Sequence, residues 1–163
     1  MGRAERSLLL PDLDATRALG RRVAGRLAVG DVVLLEGDLG AGKSELARAV
    51  IRTLAGADIP VPSPTFTLVQ GYDLPRLEVS HGDLYRLGDP GEIQELGLEE
   101  AWLRGALLVE WPERAPWLWP AERLTVRLEP VPEGGPGARR ARLEGAGRWA
   151  GALPWLAGED RSR

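Results

Sequence analysis

Gly37-Asp38-Leu39-Gly40-Ala41-Gly42-Lys43-Ser44 is the stretch on which the fold turns. It fits the G-x-x-x-x-G-K-[ST] pattern of a phosphate-binding loop, and its flanks supply the setting that pattern needs. Val32-Val33-Leu34-Leu35, just before it, is a continuous apolar run of the kind a parallel strand buried on both faces carries. After it, Leu46, Val50 and Leu54 recur at i+4 on the face of a helix that Gly56 stops. Strand, glycine loop and helix are therefore predicted in that order. Glycines let the backbone curl so that successive N–H groups point inward, and the helix N-terminus adds positive potential. Lys43 is predicted to reach the β- and γ-phosphates of a nucleoside triphosphate, and Ser44 to offer its hydroxyl to Mg²⁺. All eight residues, Gly37, Asp38, Leu39, Gly40, Ala41, Gly42, Lys43 and Ser44, belong to the predicted nucleotide-binding set.

The rest of the composition agrees with one small α/β unit. A chain of 163 residues that is 44% hydrophobic is long enough to bury a core. It has no cysteine and a single histidine, which excludes disulfides and thiolate or multi-histidine metal sites, so a metal must sit on oxygen ligands. The net charge of −3 and pI of about 5.3 argue against tight direct binding of nucleic acid. There is no long apolar span and no signal peptide, so a cytoplasmic location off the membrane is expected. Of the 21 basic residues only Lys43 is lysine. A compact ammonium can approach phosphate oxygens where a planar guanidinium does not fit.

Working outward, Ser7–Leu10 reads as a strand, and Ala15, Leu19, Val23 and Leu27 mark a helix that Asp12 or Asp14 caps and that ends before Gly30. On the other side, Thr65–Val69 is expected to be a strand leaving a proline-rich loop, paired with a strand over about Leu77–Leu84. Asp89-Pro90-Gly91-Glu92 starts a helix that Gly97 breaks or bends. Ala106–Val109 is another buried strand, Leu124, Val126 and Leu128 mark a half-buried one, and the turn in PVPEGGPG returns the chain along Arg139–Leu143. Residues from Gly145 onward show no firm period, although Trp149, Leu153 and Trp155 suggest docking. The sum is an α/β three-layer sandwich of the P-loop NTPase kind, with a mixed, mainly parallel central sheet and antiparallel edge strands. Residues 1–145 are expected to form that P-loop domain, and 146–163 a tail packed on it.

A phosphate-binding loop needs an acidic partner for magnesium, usually at the end of a neighbouring apolar strand. Glu110, closing ALLVE, is the first candidate, and Asp83, at the end of EVSHGDLYR, the second, as a residue that positions water or holds a metal-bound water. His81 is equally compatible with a packed structural role. Ser63-Pro64-Thr65-Phe66-Thr67 places three hydroxyls on a stiffened loop, as a segment sensing the γ-phosphate would. Trp111 could stack on a base or on that loop. Most of the six tryptophans, Trp117 and Trp119 among them, are expected in the core.

Five separated strings, GDLGAGKS, SPTFTLV, HGDLYRL, DPGEIQELGLEE and VEWPER, coincide in order and spacing with one family. Over about Asp12 to Leu143 the chain resembles TsaE (YjeE), the bacterial P-loop ATPase family of tRNA threonylcarbamoyladenosine synthesis. The resemblance implies a Mg²⁺-dependent ATPase of low intrinsic activity whose hydrolysis of ATP resets a complex of TsaD and TsaB, with tRNA reached only through that complex. It places Ser44 where the family usually has threonine, Glu110 on the magnesium-binding acid, Asp83 on a functionally important aspartate and Thr65 on the switch loop. With Lys43, the last two make up the expected catalytic set. Trp111 follows the metal acid, and Thr16 and Arg140 are the positions it suggests for base contacts. A small-molecule P-loop kinase is the alternative, though it needs an arginine-bearing helical lid after the core. A GTPase is disfavoured because the chain has no asparagine for a guanine-binding N-K-x-D motif.

Overall fold

Val32–Glu36 (β2) takes the centre of a seven-stranded sheet and is buried along its first four residues in the computed structural model, which describes residues 2–64 and 66–159. Around it the chain runs through β1 (Arg3–Leu10), α1 (Leu13–Arg26), α2 (Lys43–Ala55), β3 (Val69–Asp73) and β4 (Glu78–Asp83). It continues through α3 (Pro90–Glu95), α4 (Leu98–Arg104), β5 (Ala106–Glu110), β6 (Leu124–Pro130), β7 (Arg139–Ala146) and α5 (Arg148–Leu156). Short 3₁₀ turns cover Pro112–Arg114 and Pro132–Gly134. The spatial order is β1-β7-β6-β2-β5-β4-β3. The four middle strands are parallel, whereas β1, β7 and β3 join antiparallel, so the sheet is mixed with antiparallel edges.

Strand alternation builds the three layers. Val33 and Leu35 of β2 and Ala106 and Leu108 of β5 join the cluster packed under α1, α2 and α5, while Val32, Leu34, Leu107 and Val109 join the one under α3 and α4. The same period of two decides where the polar strand ends go. Glu110 shares the face of Ala106 and Leu108, and His81 and Asp83 share that of Val79, which is the face α2 covers.

Asp12 caps α1 by accepting from the Ala15 N–H at 2.9 Å, and α1 ends at Arg26 with Leu27 in extended backbone, so Gly30 is not its C-terminal cap. α2 ends at Gly56 as expected. Gly97, left-handed at φ 71°, separates α3 from α4, a second short helix not legible as its own element. β1 begins four residues earlier than its apolar core implied, because its polar alternate residues pair along the whole of β7.

Two expectations are corrected. The strand expected over Thr65–Val69 is corrected over its described residues: the chain turns through Phe66 and Thr67, Leu68 adopts φ 68°, and pairing starts only at Val69. Leu68 donates to the Pro64 carbonyl at 2.7 Å and accepts from the Asp83 N–H at 2.9 Å, so its peptide is committed to a turn. Trp117 is 59% exposed instead of buried, whereas Trp119 is half-buried beside Trp102 and donates to the Pro112 carbonyl. The stretch without a period contains α5, whose Trp149, Leu153 and Leu156 are buried in the same cluster as α1 and α2.

Candidate nucleotide site

The loop between β2 and α2 follows from its glycines. Gly37 lies so close to β6 that a Cβ there would be 2.6 Å from the Leu128 carbonyl oxygen, and Gly42 has a left-handed φ of 107° at the N-cap of α2. An L side chain fits neither position without distortion. The loop bounds a cavity of about 470 Å³, which Ser44, Asp83, Tyr85, Glu110, Trp111 and Arg139 also line.

Lys43, only 4% exposed, folds back onto its own loop. Its ammonium donates to the carbonyls of Gly37 and Asp38, and Nζ sits 4.0 Å from the centroid of the Trp111 ring. Burial pushes its pKa down from the ordinary 10.5, opposed by the negative charges of Glu110, Glu113, Asp83 and Asp38. Those carbonyls satisfy the ammonium, and phosphate oxygens are the natural competitors for it.

Ser44, at the start of α2, donates to both carboxylate oxygens of Glu110, at 3.1 and 3.3 Å. Glu110 is 3% exposed, and His81 Nε2 lies 2.7 Å from its Oε2. Asp83 is the register partner of Glu110 on the adjacent parallel strand. Burial raises the Asp83 pKa above the ordinary 3.8, and the backbone N–H of Tyr85, donating to Oδ1 at 2.9 Å, is the largest influence against that rise. Ser44 and Glu110 are hard oxygen donors at the mouth of the loop. Among the described residues no three His, Cys, Asp or Glu side chains group to hold a metal alone. Such a pair suits Mg²⁺, which keeps several waters and takes one or two protein oxygens beside substrate phosphates.

Lys43, Ser44, Asp83, Glu110 and Trp111 are thus brought together. Thr65, expected on the switch loop, lies outside the described residues. Thr16 does not line the cavity: it is 1% exposed within α1, and its hydroxyl has no hydrogen-bond partner among the described residues. Arg140 is exposed on the face of β7 opposite Ala141 and Leu143, and it is Arg139 that reaches the loop, through Nε to the Ala41 carbonyl at 2.7 Å and Nη2 to that of Gly40 at 3.0 Å. Strand parity makes this correction, since neighbours in a strand face opposite ways. Nothing local in the sequence marks Tyr85, whose ring lies 4.8 Å from that of Trp111. The signal for His81 was its spacing of two from Asp83.

A phosphate-binding loop between a central parallel strand and a helix, with an acid at the end of the next strand, defines a P-loop nucleotide-binding protein. The family pattern described as Threonylcarbamoyl adenosine biosynthesis protein TsaE matches residues 10–140. The chain is 40% identical over 126 residues to the tRNA threonylcarbamoyladenosine biosynthesis protein TsaE of Rickettsia felis, covering 77% of this chain and 74% of that one. It is 38% identical over 141 residues to the same-named protein of a Nostoc species, covering 83% of each. The crystal structure of Bacillus subtilis YdiB superposes with a TM-score of 0.78 at 27% identity over 99% of both chains. The chain belongs to the TsaE family.

Proposed function

We propose that this protein binds ATP with Mg²⁺ and hydrolyses it as the ATPase component of tRNA threonylcarbamoyladenosine biosynthesis, resetting a cytoplasmic complex of TsaD and TsaB between catalytic cycles. The observation that carries the chemical part is the contact of Ser44 with Glu110 at the mouth of the glycine loop. The biological part rests on family membership. No helix among the described residues is long and apolar enough to cross a membrane.

In this reading Lys43 exchanges its loop carbonyls for phosphate oxygens, and the loop N–H groups accept the remaining phosphate charge. Ser44 and Glu110 would hold Mg²⁺, which would supply neutralisation of the charge developing on the transferred phosphoryl group. Asp83, beside Glu110 and facing the cavity, orients the attacking water and takes its proton. Its raised pKa matches a group that accepts a proton readily. Tyr85 and Trp111 wall the site against bulk water. ATP and water give ADP and phosphate, and the free-energy drop is spent on the partner complex.

Between Glu110 and β7 the described chain carries 3₁₀ turns and β6, with no helical lid of the kind a small-molecule kinase closes over its substrates. The test is ATP turnover with and without TsaD and TsaB. Low activity alone and clear stimulation by the pair are expected, and Lys43→Ala should abolish nucleotide binding. Equal turnover with no detectable complex would overturn the proposal.

A further inference from the structure

We propose that His81 is the positioning residue for the Glu110 carboxylate, and through it for the divalent ion that Glu110 and Ser44 would hold. This rests on the reading of the site as one for a metal-bound nucleotide.

His81 is 1% exposed and does not line the cavity, so it reaches nucleotide only through another group. Its Nε2 lies 2.7 Å from Glu110 Oε2. An ionised carboxylate only accepts, so this bond puts a proton on Nε2. The other ring nitrogen, Nδ1, is buried without a hydrogen-bond partner among the described residues. A core position on the face of Val79 and Leu108 is thus given to a polar ring with one nitrogen unsatisfied, where an apolar side chain would pack without that cost. The bond to Glu110 is what histidine supplies and an apolar residue does not.

Among the described residues Glu110 has two hydrogen-bonding side-chain partners, and they differ in kind. Ser44 donates to both carboxylate oxygens, but a hydroxyl that also gives a lone pair to an ion in the proposed site has only its single proton left for Glu110. His81 holds Oε2 from inside the sheet through a ring that does not line the cavity, so its hold on Glu110 is not shared with an ion between Ser44 and Glu110. The terminal torsion of a glutamate is broad, so without His81 the carboxylate plane is held only by the Ser44 hydroxyl. Mg²⁺ demands near-ideal octahedral geometry and is therefore sensitive to that freedom.

The experiment is ATP affinity in Mg²⁺ and in EDTA for wild type, His81→Leu, which keeps the bulk, and His81→Gln, which keeps an N–H donor. His81→Leu should weaken the Mg²⁺-dependent affinity by about ten- to a hundredfold. Its affinity in EDTA should be unchanged, and His81→Gln should recover most of the loss. If the leucine and glutamine variants behave alike, or lose affinity equally with and without Mg²⁺, the proposal is overturned. Because the chain has one histidine, ¹⁵N-histidine NMR of the unmutated protein gives a readout independent of whether the variants fold. The Nε2–H tautomer, with a resonance moved by Mg²⁺ and ATP beyond ATP alone, is expected; the Nδ1–H tautomer overturns the proposal. Should wild type bind ATP identically in Mg²⁺ and EDTA, the reading of the site falls together with this inference. A normal Mg²⁺ effect that no His81 variant alters removes the inference alone.

Discussion

Ser44 and Glu110 stand 66 positions apart in the chain, yet the serine hydroxyl lies 3.1 Å from one glutamate oxygen and 3.3 Å from the other. The contact exists because β5 runs parallel beside β2 and ends level with it, Leu35 being the register partner of Glu110, while α2 begins just beyond the end of β2. If the pair forms the protein's share of a magnesium site, Ser44→Ala should lower ATP affinity in Mg²⁺ by about tenfold and leave affinity in EDTA nearly untouched. Ser44→Thr, which keeps the hydroxyl, should restore it. Titration calorimetry at several Mg²⁺ concentrations reads both.

Asp83 leads to a prediction with a definite sign in pH. Its folded pKa lies above the ordinary 3.8 because burial disfavours the charged form. Ionisation therefore costs folding free energy: the cost is absent below the ordinary pKa, grows as pH rises towards the folded value, and is full above it. Asp83→Asn keeps an oxygen for the Tyr85 N–H and removes the charge. It should raise the melting temperature of the nucleotide-free protein at neutral pH, with the gain vanishing as pH falls towards 3.8. The same variant should bind ATP and lose about a hundredfold or more in turnover.

Two glycines of α1 should respond oppositely to alanine. A Cβ at Gly20 would lie 2.6 Å from the Ala49 Cβ and 3.1 Å from the Leu46 carbonyl oxygen, because α1 and α2 approach closely there. Overpacking of about 1–3 kcal/mol outweighs the helix-propensity gain of about 1 kcal/mol, so Gly20→Ala should be net destabilising. At Gly25 the nearest atom is Trp155 Cη2 at 3.4 Å, an ordinary contact. Gly25→Ala should stabilise by about 0.5–1 kcal/mol in urea unfolding.

The segment after β7 is open to a truncation test. Trp149, Leu153 and Leu156 of α5 are at most 1% exposed and share the cluster of α1 and α2. At about 1.5–3 kcal/mol per buried large apolar side chain, their loss approaches the whole stability of a small domain. We propose that residues 146–159 belong to the folding unit, so a chain stopped after Ala146 should show no cooperative unfolding transition by circular dichroism.

What could be read in the sequence was what neighbours in the chain decide among themselves. The curl of Gly37–Ser44, the caps at Asp12 and Asp89, the stop at Gly56 and the apolar runs of β2 and β5 all depend on residues within a turn or two of one another. The fold class, the cation on the loop and the acid at the end of β5 follow from such local patterns. The α5 helix escaped because its period is short and Pro154 interrupts it, and Leu68 misled because its backbone is held by Pro64 and Asp83 rather than by its own propensity.

Pairing between distant strands decided the rest. Whether Arg139 or Arg140 reaches the loop is a question of which alternate face of β7 turns inward, and one residue of register changes the answer. Nothing near His81 in the sequence says that its ring will lie 2.7 Å from Glu110, because that distance is set by β4 packing parallel against β5 and by both side chains falling on the face α2 covers. By itself the sequence determined a loop that binds phosphate and an acid to go with it; only the tertiary structure, through strand register and side-chain parity, decided which groups hold that acid and which side chains stand around the cavity.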